Sequence, residues 1–121
     1  MEYKGVVKGT PVSKSNSYRV ITIKGHASLT KTKAMKQYEE SFLWQVGEIR
    51  DANISVPFEF YIDVYFPSKR SDLDGALKGV MDCLQKVNVI KNDNNCTLIH
   101  ARKFVDKDNP RVEFRIIPIE L

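Results

Sequence analysis

The stretch that decides the fold is Val56-Pro57-Phe58-Glu59-Phe60-Tyr61-Ile62-Asp63-Val64-Tyr65-Phe66. From Val56 onward, large apolar side chains occupy every second position. Because successive side chains of a β-strand point to opposite faces, this alternation predicts a strand with one fully apolar face. Two large tyrosines, Tyr61 and Tyr65, lie on the other face, and we expect a helix or another subunit to cover that face in part.

Helices are predicted on both sides of this strand. Apolar residues recur at three- and four-residue steps over Asp72 to Lys86 and give that segment a complete apolar face. A similar stripe from Met35 to Ile49 predicts a helix over Ser28 to Ile49, with Ser28 or Thr30 as its N-cap.

Four further strands are predicted from alternating segments, over Tyr3 to Lys8, Tyr18 to Lys24, Thr97 to Val105 and Arg111 to Ile119. The order is therefore β-β-α-β-α-β-β, with the last two strands paired. This order predicts an α+β fold, in which two main helices pack on a mixed β-sheet. With 121 residues, 42% of them hydrophobic, the chain has the size and composition of a single domain over residues 1–121.

Composition narrows the functional classes. The net charge of +4 permits a nucleic-acid partner without requiring one. The two cysteines, Cys83 and Cys96, form no CxxC pattern, which argues against zinc and favours a reducing cytoplasm. No apolar run approaches 18 residues and no signal-like segment begins the chain, so we expect a soluble, cytoplasmic protein without a membrane partner.

Three carboxylates and a lysine lie at or near the ends of predicted elements: Asp72, Asp74, Lys78 and Asp93. Residues i and i+2 of a regular helix point about 200° apart, but an N-cap residue is not helical. Asp72 and Asp74 are therefore expected to turn toward one pocket. Asp93 reaches them if the chain after the helix folds back by ~22 Å.

Magnesium prefers oxygen ligands and keeps several of its waters, so such carboxylates leave room for phosphate oxygens and an attacking water. Lys78, four residues after Asp74, is placed to neutralise charge that develops on a phosphate or to protonate the leaving group. The alternative is structural. Asp72 is then a helix cap, Asp74, Lys78 and Asp82 form a surface ion-pair ladder, and Asp93 is a turn residue.

Two polar segments are candidates for contact with the DNA backbone. Lys14 and Asn16 lie in the hydroxyl-rich loop over residues 9–17, and Lys69 and Arg70 follow the central strand. Lysine, arginine, serine and asparagine side chains are common donors to phosphate. The alternative for the first segment is a solvated loop.

The pattern Asp72-Leu73-Asp74-x-x-x-Lys78, followed by Asp82 and by Asp93 after an Asn-rich turn, resembles the RusA family. These are small Holliday-junction resolvases, often carried by prophages, and the resemblance covers nearly the whole chain. It implies a homodimer that cuts four-way DNA junctions symmetrically with magnesium, or with manganese as a substitute. Asp72, Asp74 and Asp93 would ligate the metal, and Lys78 would match the family's lysine. No small organic cofactor is expected.

Three positions depart from the family pattern. Gly75 stands where the family has asparagine, Asn92 where an Asp-Asp pair is common, and Ser71 where some relatives carry another arginine. The change at Gly75 is expected to bear on sequence preference and rate more than on reaction type. A junction has two-fold symmetry, so a two-fold dimer places two sites on symmetric strands. Aromatic residues around Phe42, Trp44, Tyr61 and Tyr65 are candidates for its interface.

The leading hypothesis is a metal-dependent endodeoxyribonuclease that resolves four-way junctions in recombination and repair. The second is a related nuclease with a broader preference for branched or flap DNA. The third is a non-catalytic DNA-binding module with structural aspartates. Metal-dependent cutting distinguishes the first two hypotheses from the third.

Overall fold

The computed structural model describes residues 1–119, except for the side chains of residues 14 and 15. The strands are β1 (Tyr3–Lys8), β2 (Tyr18–Ile23), β3 (His26–Lys31), β4 (Phe58–Phe66), β5 (Cys96–Val105) and β6 (Arg111–Pro118). The helices are α1 (Lys14–Ser17), α2 (Lys33–Gln45) and α3 (Leu73–Lys86). Short 3₁₀ turns cover Gly47–Ile49 and Asp93–Asn95.

The alternating stretch becomes β4, which lies inside a four-stranded sheet of order β1-β6-β4-β5. Its apolar side chains, from Phe58 to Phe66, are at most 2% exposed. β4 pairs antiparallel with β6 and parallel with β5. The parallel pairing makes α3 the crossover helix between β4 and β5, so α3 begins at the end where β4 finishes.

The two long helices pack on the apolar face of this sheet. Phe42 of α2 stacks on Phe114 of β6 with ring centroids 6.0 Å apart, and Val80 and Leu84 of α3 are fully buried in the same cluster. Among residues 1–119, no helix is long and apolar enough to cross a membrane. The predicted α+β class, a mixed sheet with two main helices, is confirmed.

The prediction for the first long helix is wrong at its start. Ser28 lies in β3, which pairs with β2 as a separate two-stranded sheet, and the helix is capped by Thr32, whose hydroxyl accepts from the Met35 backbone N–H at 3.2 Å. Lys24 and Gly25 both adopt positive φ, 50° and 79°. Such a two-residue turn is typical of a tight hairpin and fixes the pairing of β2 with β3.

The predicted pairing of the last two strands is also wrong. β4 lies between β5 and β6 and pairs with both of them, so these strands never touch as neighbours in the sheet. The crossover through α3 places β5 on one edge of β4, and this leaves the other edge for β6.

On the second face of the sheet, side chains of β5 and β6 pack against the two tyrosines of β4. The Arg111 guanidinium lies 3.8 Å from the centre of the Tyr65 ring, and that of Arg115 lies 4.3 Å from the Tyr61 ring. We call this the open face of the sheet. Of the aromatic residues considered for a dimer interface, Phe42 is fully buried and is excluded, whereas Trp44 is 75% exposed.

We predict that Gly79→Ala destabilises the fold. Alanine in place of glycine in a helix normally adds about 1 kcal/mol. At Gly79, however, a Cβ atom would lie 2.9 Å from the backbone oxygen of Val12. We therefore expect urea unfolding to show a loss of about 1–3 kcal/mol, as for other overpacked sites.

The matched control is Lys86→Ala, an exposed position of the same helix, which should change stability by less than about 0.5 kcal/mol. A gain in stability for Gly79→Ala would show that the segment around Val12 does not pack closely on α3.

Candidate active site

A hollow between α3, the turn Asp93–Asn95 and β5 contains three of the four residues predicted to be catalytic. Asp74, Lys78 and Asp93 line it. Its remaining lining is largely apolar and comes from Leu77, Met81, Cys96 and Ile99, with Asn94. Charged groups beside a partly apolar wall are screened less by water than charges on an open surface.

The fold-back that Asp93 requires is present. Ile54 donates its backbone N–H to the Val89 oxygen at 3.0 Å and accepts from the Lys91 N–H at 2.9 Å. Val89 and Ile90 are fully buried, which anchors this return segment in the core. The backbone N–H of Asp93 then donates to Oε1 of Gln85 at 3.1 Å, so α3 itself holds the turn in place.

Lys78 lies between two carboxylates. Its Nζ is 3.1 Å from Oδ1 of Asp82 and 3.6 Å from Oδ2 of Asp93. The hydrogen bond to Asp82, with smaller contributions from its charge and from Asp93, raises the pKa of Lys78 above its ordinary value. The side chain therefore stays protonated at neutral pH, and it carries a positive charge into the hollow instead of serving as a base.

The predicted ion-pair ladder is only half formed. Lys78 pairs with Asp82, but in the part of the chain that the structure describes no cationic nitrogen lies within 4.0 Å of the Asp74 carboxylate. Asp74 thus shares the hollow with Lys78 and Asp93 while its oxygens stay available to a ligand.

Asp72 takes the N-cap position of α3 with an extended backbone, but its side chain makes no capping hydrogen bond. It lines a neighbouring hollow with Pro11, Ser13, Arg70 and Ser71. Asp72 and Asp74 therefore line different hollows, and the expectation that they turn toward one pocket is wrong. Within residues 1–119, no three metal-binding side chains lie close enough together to hold one ion.

The donors of the first hollow nevertheless fit magnesium. Mg²⁺ is commonly held by one or two carboxylates and keeps several waters, and Asp74 and Asp93 provide two carboxylates beside one hollow. Asp72 lies outside this pair, so its role as a ligand stays a prediction.

The basic loop that follows β4 is held in place by Lys103. The Lys103 ammonium donates to the backbone oxygen of Lys69 at 2.9 Å and also to that of Ser71. Sequence reasoning missed this residue. A signal was available, because the alternation of β5 puts Lys103 on the helix side of the sheet, where a charged side chain is unusual.

The other predicted contact residues lie in or next to α1. Asn16 is exposed, and its backbone oxygen accepts a hydrogen bond from the Thr32 hydroxyl at 2.7 Å. The side chain of Lys14 lies outside the described part of the structure. The DNA-binding roles of Lys14, Asn16, Lys69 and Arg70 stay predictions.

Comparison with known proteins identifies the family. Residues 8–117 match the family model described as endodeoxyribonuclease RusA. The chain belongs to the RusA family. The crossover junction endodeoxyribonuclease RusA of Aquifex aeolicus (strain VF5) is 31% identical over 113 residues, which cover 91% of this chain and 86% of that protein.

Membership of the RusA family confirms the resemblance drawn from the Asp72–Asp93 pattern and makes the chain an endodeoxyribonuclease. The match spans the hollow, the basic loop and the β2–β3 hairpin. The sequence understated the role of Asp82, because this residue pairs with Lys78 as the ladder predicts and also accepts a hydrogen bond from Tyr18 of the hairpin.

We predict that Asp82→Asn lowers the pKa of Lys78 more than Asp93→Asn does, because Asp82 makes the larger contribution. The pKa can be followed by NMR titration of the lysine side chain. Because the folded-state pKa is raised, the pair stabilises the protein fully below the unfolded-state pKa and loses this effect as pH rises through the folded-state pKa. A larger drop for Asp93→Asn would contradict the arrangement.

Proposed function

We propose that this RusA-family protein is a metal-dependent endodeoxyribonuclease that resolves four-way DNA junctions as a homodimer. The observation that carries the proposal is the placement of Asp74, Lys78 and Asp93 around one hollow. The family membership supports nuclease chemistry, and the printed name of the Aquifex aeolicus relative supports a crossover junction as the substrate.

The residues of the hollow have separate roles in this proposal. Asp74 and Asp93 would hold the cation, which would activate water and stabilise the leaving oxygen. Lys78, kept protonated by Asp82, holds the scissile phosphate by its charge and is positioned to donate a proton to the leaving oxygen. Lys69 and Arg70, on the loop held by Lys103, bind the phosphates that flank the cut.

Two-fold symmetry of the substrate supports a dimer. An isologous pair presents two identical sites to the two strands that must be cut together. Tyr61 and Tyr65 of the open face and the exposed Trp44 lie on different sides of the sheet, so one two-fold interface uses one of these surfaces and not both.

The first experiment compares cleavage of a labelled four-way junction with that of a linear duplex of equal length, each with magnesium and with a chelator. Paired symmetric nicks in the junction, dependent on metal, are expected. Cutting of flaps and three-way junctions at the same rate would favour the broader nuclease, and binding without nicks under magnesium or manganese would favour the non-catalytic module.

We predict that Asp74→Asn lowers the cleavage rate at least about 100-fold while junction binding is kept, since its carboxylate would hold the cation that acts on the reacting phosphate. Removing this negative charge should, if anything, tighten the binding of DNA. The matched control is Asp108→Asn, an exposed carboxylate in the β5–β6 loop, which should cut normally. Normal cutting by Asp74→Asn would remove this residue from the site.

Lys78→Ala is expected to cut poorly, yet to fold and to keep the oligomeric state of the unaltered protein, because the Lys78 side chain is about half exposed. Circular dichroism and sedimentation check the fold and the assembly, and single-turnover cleavage checks the chemistry. A normal single-turnover rate would exclude Lys78 from the mechanism.

A further inference from the structure

Charge is divided unevenly along this chain. Residues 14–38 carry six Lys and Arg and no Asp or Glu, whereas the rest carries thirteen Lys and Arg against fifteen Asp and Glu. The net charge of +4 therefore comes from this segment alone. A basic block of this kind attracts polyanions.

Most of the segment folds as the β2–β3 hairpin, which is a sheet of its own. A two-stranded hairpin without further packing is only marginally stable in water. Val20 and Leu29 face each other across it and are 68% and 71% exposed. The hairpin thus presents an apolar pair that a bound molecule would cover.

Four cationic side chains of the basic segment have no carboxylate partner. In the described part of the chain, no carboxylate oxygen lies within 4.0 Å of Arg19, Lys24, Lys33 or Lys36; Lys31 differs, since it pairs with Glu39 at 2.7 Å.

The open face of the sheet is the opposite case, because its arginines are paired. Arg102 binds Asp63 at 2.8 Å, Arg111 binds Glu113 at 2.6 Å and Arg115 lies 3.6 Å from Glu2. A polyanion is therefore attracted to the hairpin side of the molecule more strongly than to the open face.

The base of the hairpin is fixed beside the active-site hollow. The Tyr18 hydroxyl donates to Oδ2 of Asp82 at 3.4 Å, and Asp82 is the main partner of Lys78. At the same base of the hairpin, the backbone N–H of Thr32 donates to the Ser17 oxygen at 2.9 Å.

We infer that the β2–β3 hairpin is a DNA-binding arm, which binds the duplex adjoining the cut with Arg19 and Lys24 on its phosphates. Lys33 and Lys36 extend this basic surface onto α2. A two-stranded ribbon fits the major groove, which is about 12 Å wide. The inference takes its substrate, DNA, from the proposed function, and adds the surface that holds it.

A second copy of the chain is the competing occupant, because Val20 and Leu29 also suit a protein interface. The positive charge of the hairpin argues against a second copy. In a two-fold contact centred on the hairpin, each hairpin would meet the same basic segment of its partner, and like charges brought together oppose association. DNA presents the complementary sign.

The test measures binding of a labelled four-way junction in chelator, where no cutting occurs, at salt concentrations from 50 to 200 mM. The variant is Arg19→Gln with Lys24→Gln. Its control, Lys4→Gln with Arg115→Gln, removes one lysine and one arginine from the open face. Each lost phosphate contact lowers the slope of log K against log salt by about 0.9, so the hairpin variant should show a slope shallower by about 1.8.

Each outcome decides the inference. A shallower slope for the hairpin variant with an unchanged slope for the control supports the arm. Equal slopes for the two variants would overturn the arm. It would also be overturned if sedimentation showed that the hairpin variant had lost the dimer of the unaltered protein. Should the unaltered protein bind the junction but fail to cut it with metal, the proposed function fails while the slopes still decide the inference. Should the unaltered protein bind no DNA, both fail.

Discussion

The backbone hydrogen bonds between Ile54 and the return segment at Val89 and Lys91 are the constraint on which the site depends. α3 has fourteen residues and is ~21 Å long, so without a defined return Asp93 would lie far from the start of the helix. The buried Val89 and Ile90 fix that return in the core. Gln85 then holds the backbone of Asp93, and the Asp93 carboxylate faces Lys78.

Sequence periodicity was sufficient to predict the strands and helices that bury one face. β4 and α3 were predicted almost to the residue, because strict alternation and a complete apolar face each fit one type of structure. β3 was missed because its residues precede the apolar stripe of α2 without a break in composition, although Lys24-Gly25 was a turn signal. Strand order was not predictable, since alternation reports which face is buried and not which strand is the neighbour.

The candidate site was likewise predictable only in part from the sequence. Asp72 and Asp74 line different hollows, because the extended backbone of an N-cap residue does not by itself turn its side chain toward the first turn of the helix. The approach of Asp93 to Lys78 depends on contacts between Ile54 and residues distant in sequence, which no local pattern encodes. Asp82 was visible as the i+4 partner of Lys78, but its contact with Tyr18 required the hairpin that the sequence did not predict.

Asp82 connects the parts of the molecule that a nuclease must coordinate. One of its oxygens accepts from Lys78 at 3.1 Å and the other from the Tyr18 hydroxyl at 3.4 Å. The carboxylate that raises the pKa of Lys78 therefore also binds the base of the basic hairpin. Both bonds leave the same short side chain, so the positions of Lys78 and of the hairpin base depend on one residue of α3. In the proposed function, the arm that binds the duplex and the lysine that faces the scissile phosphate are therefore joined through Asp82.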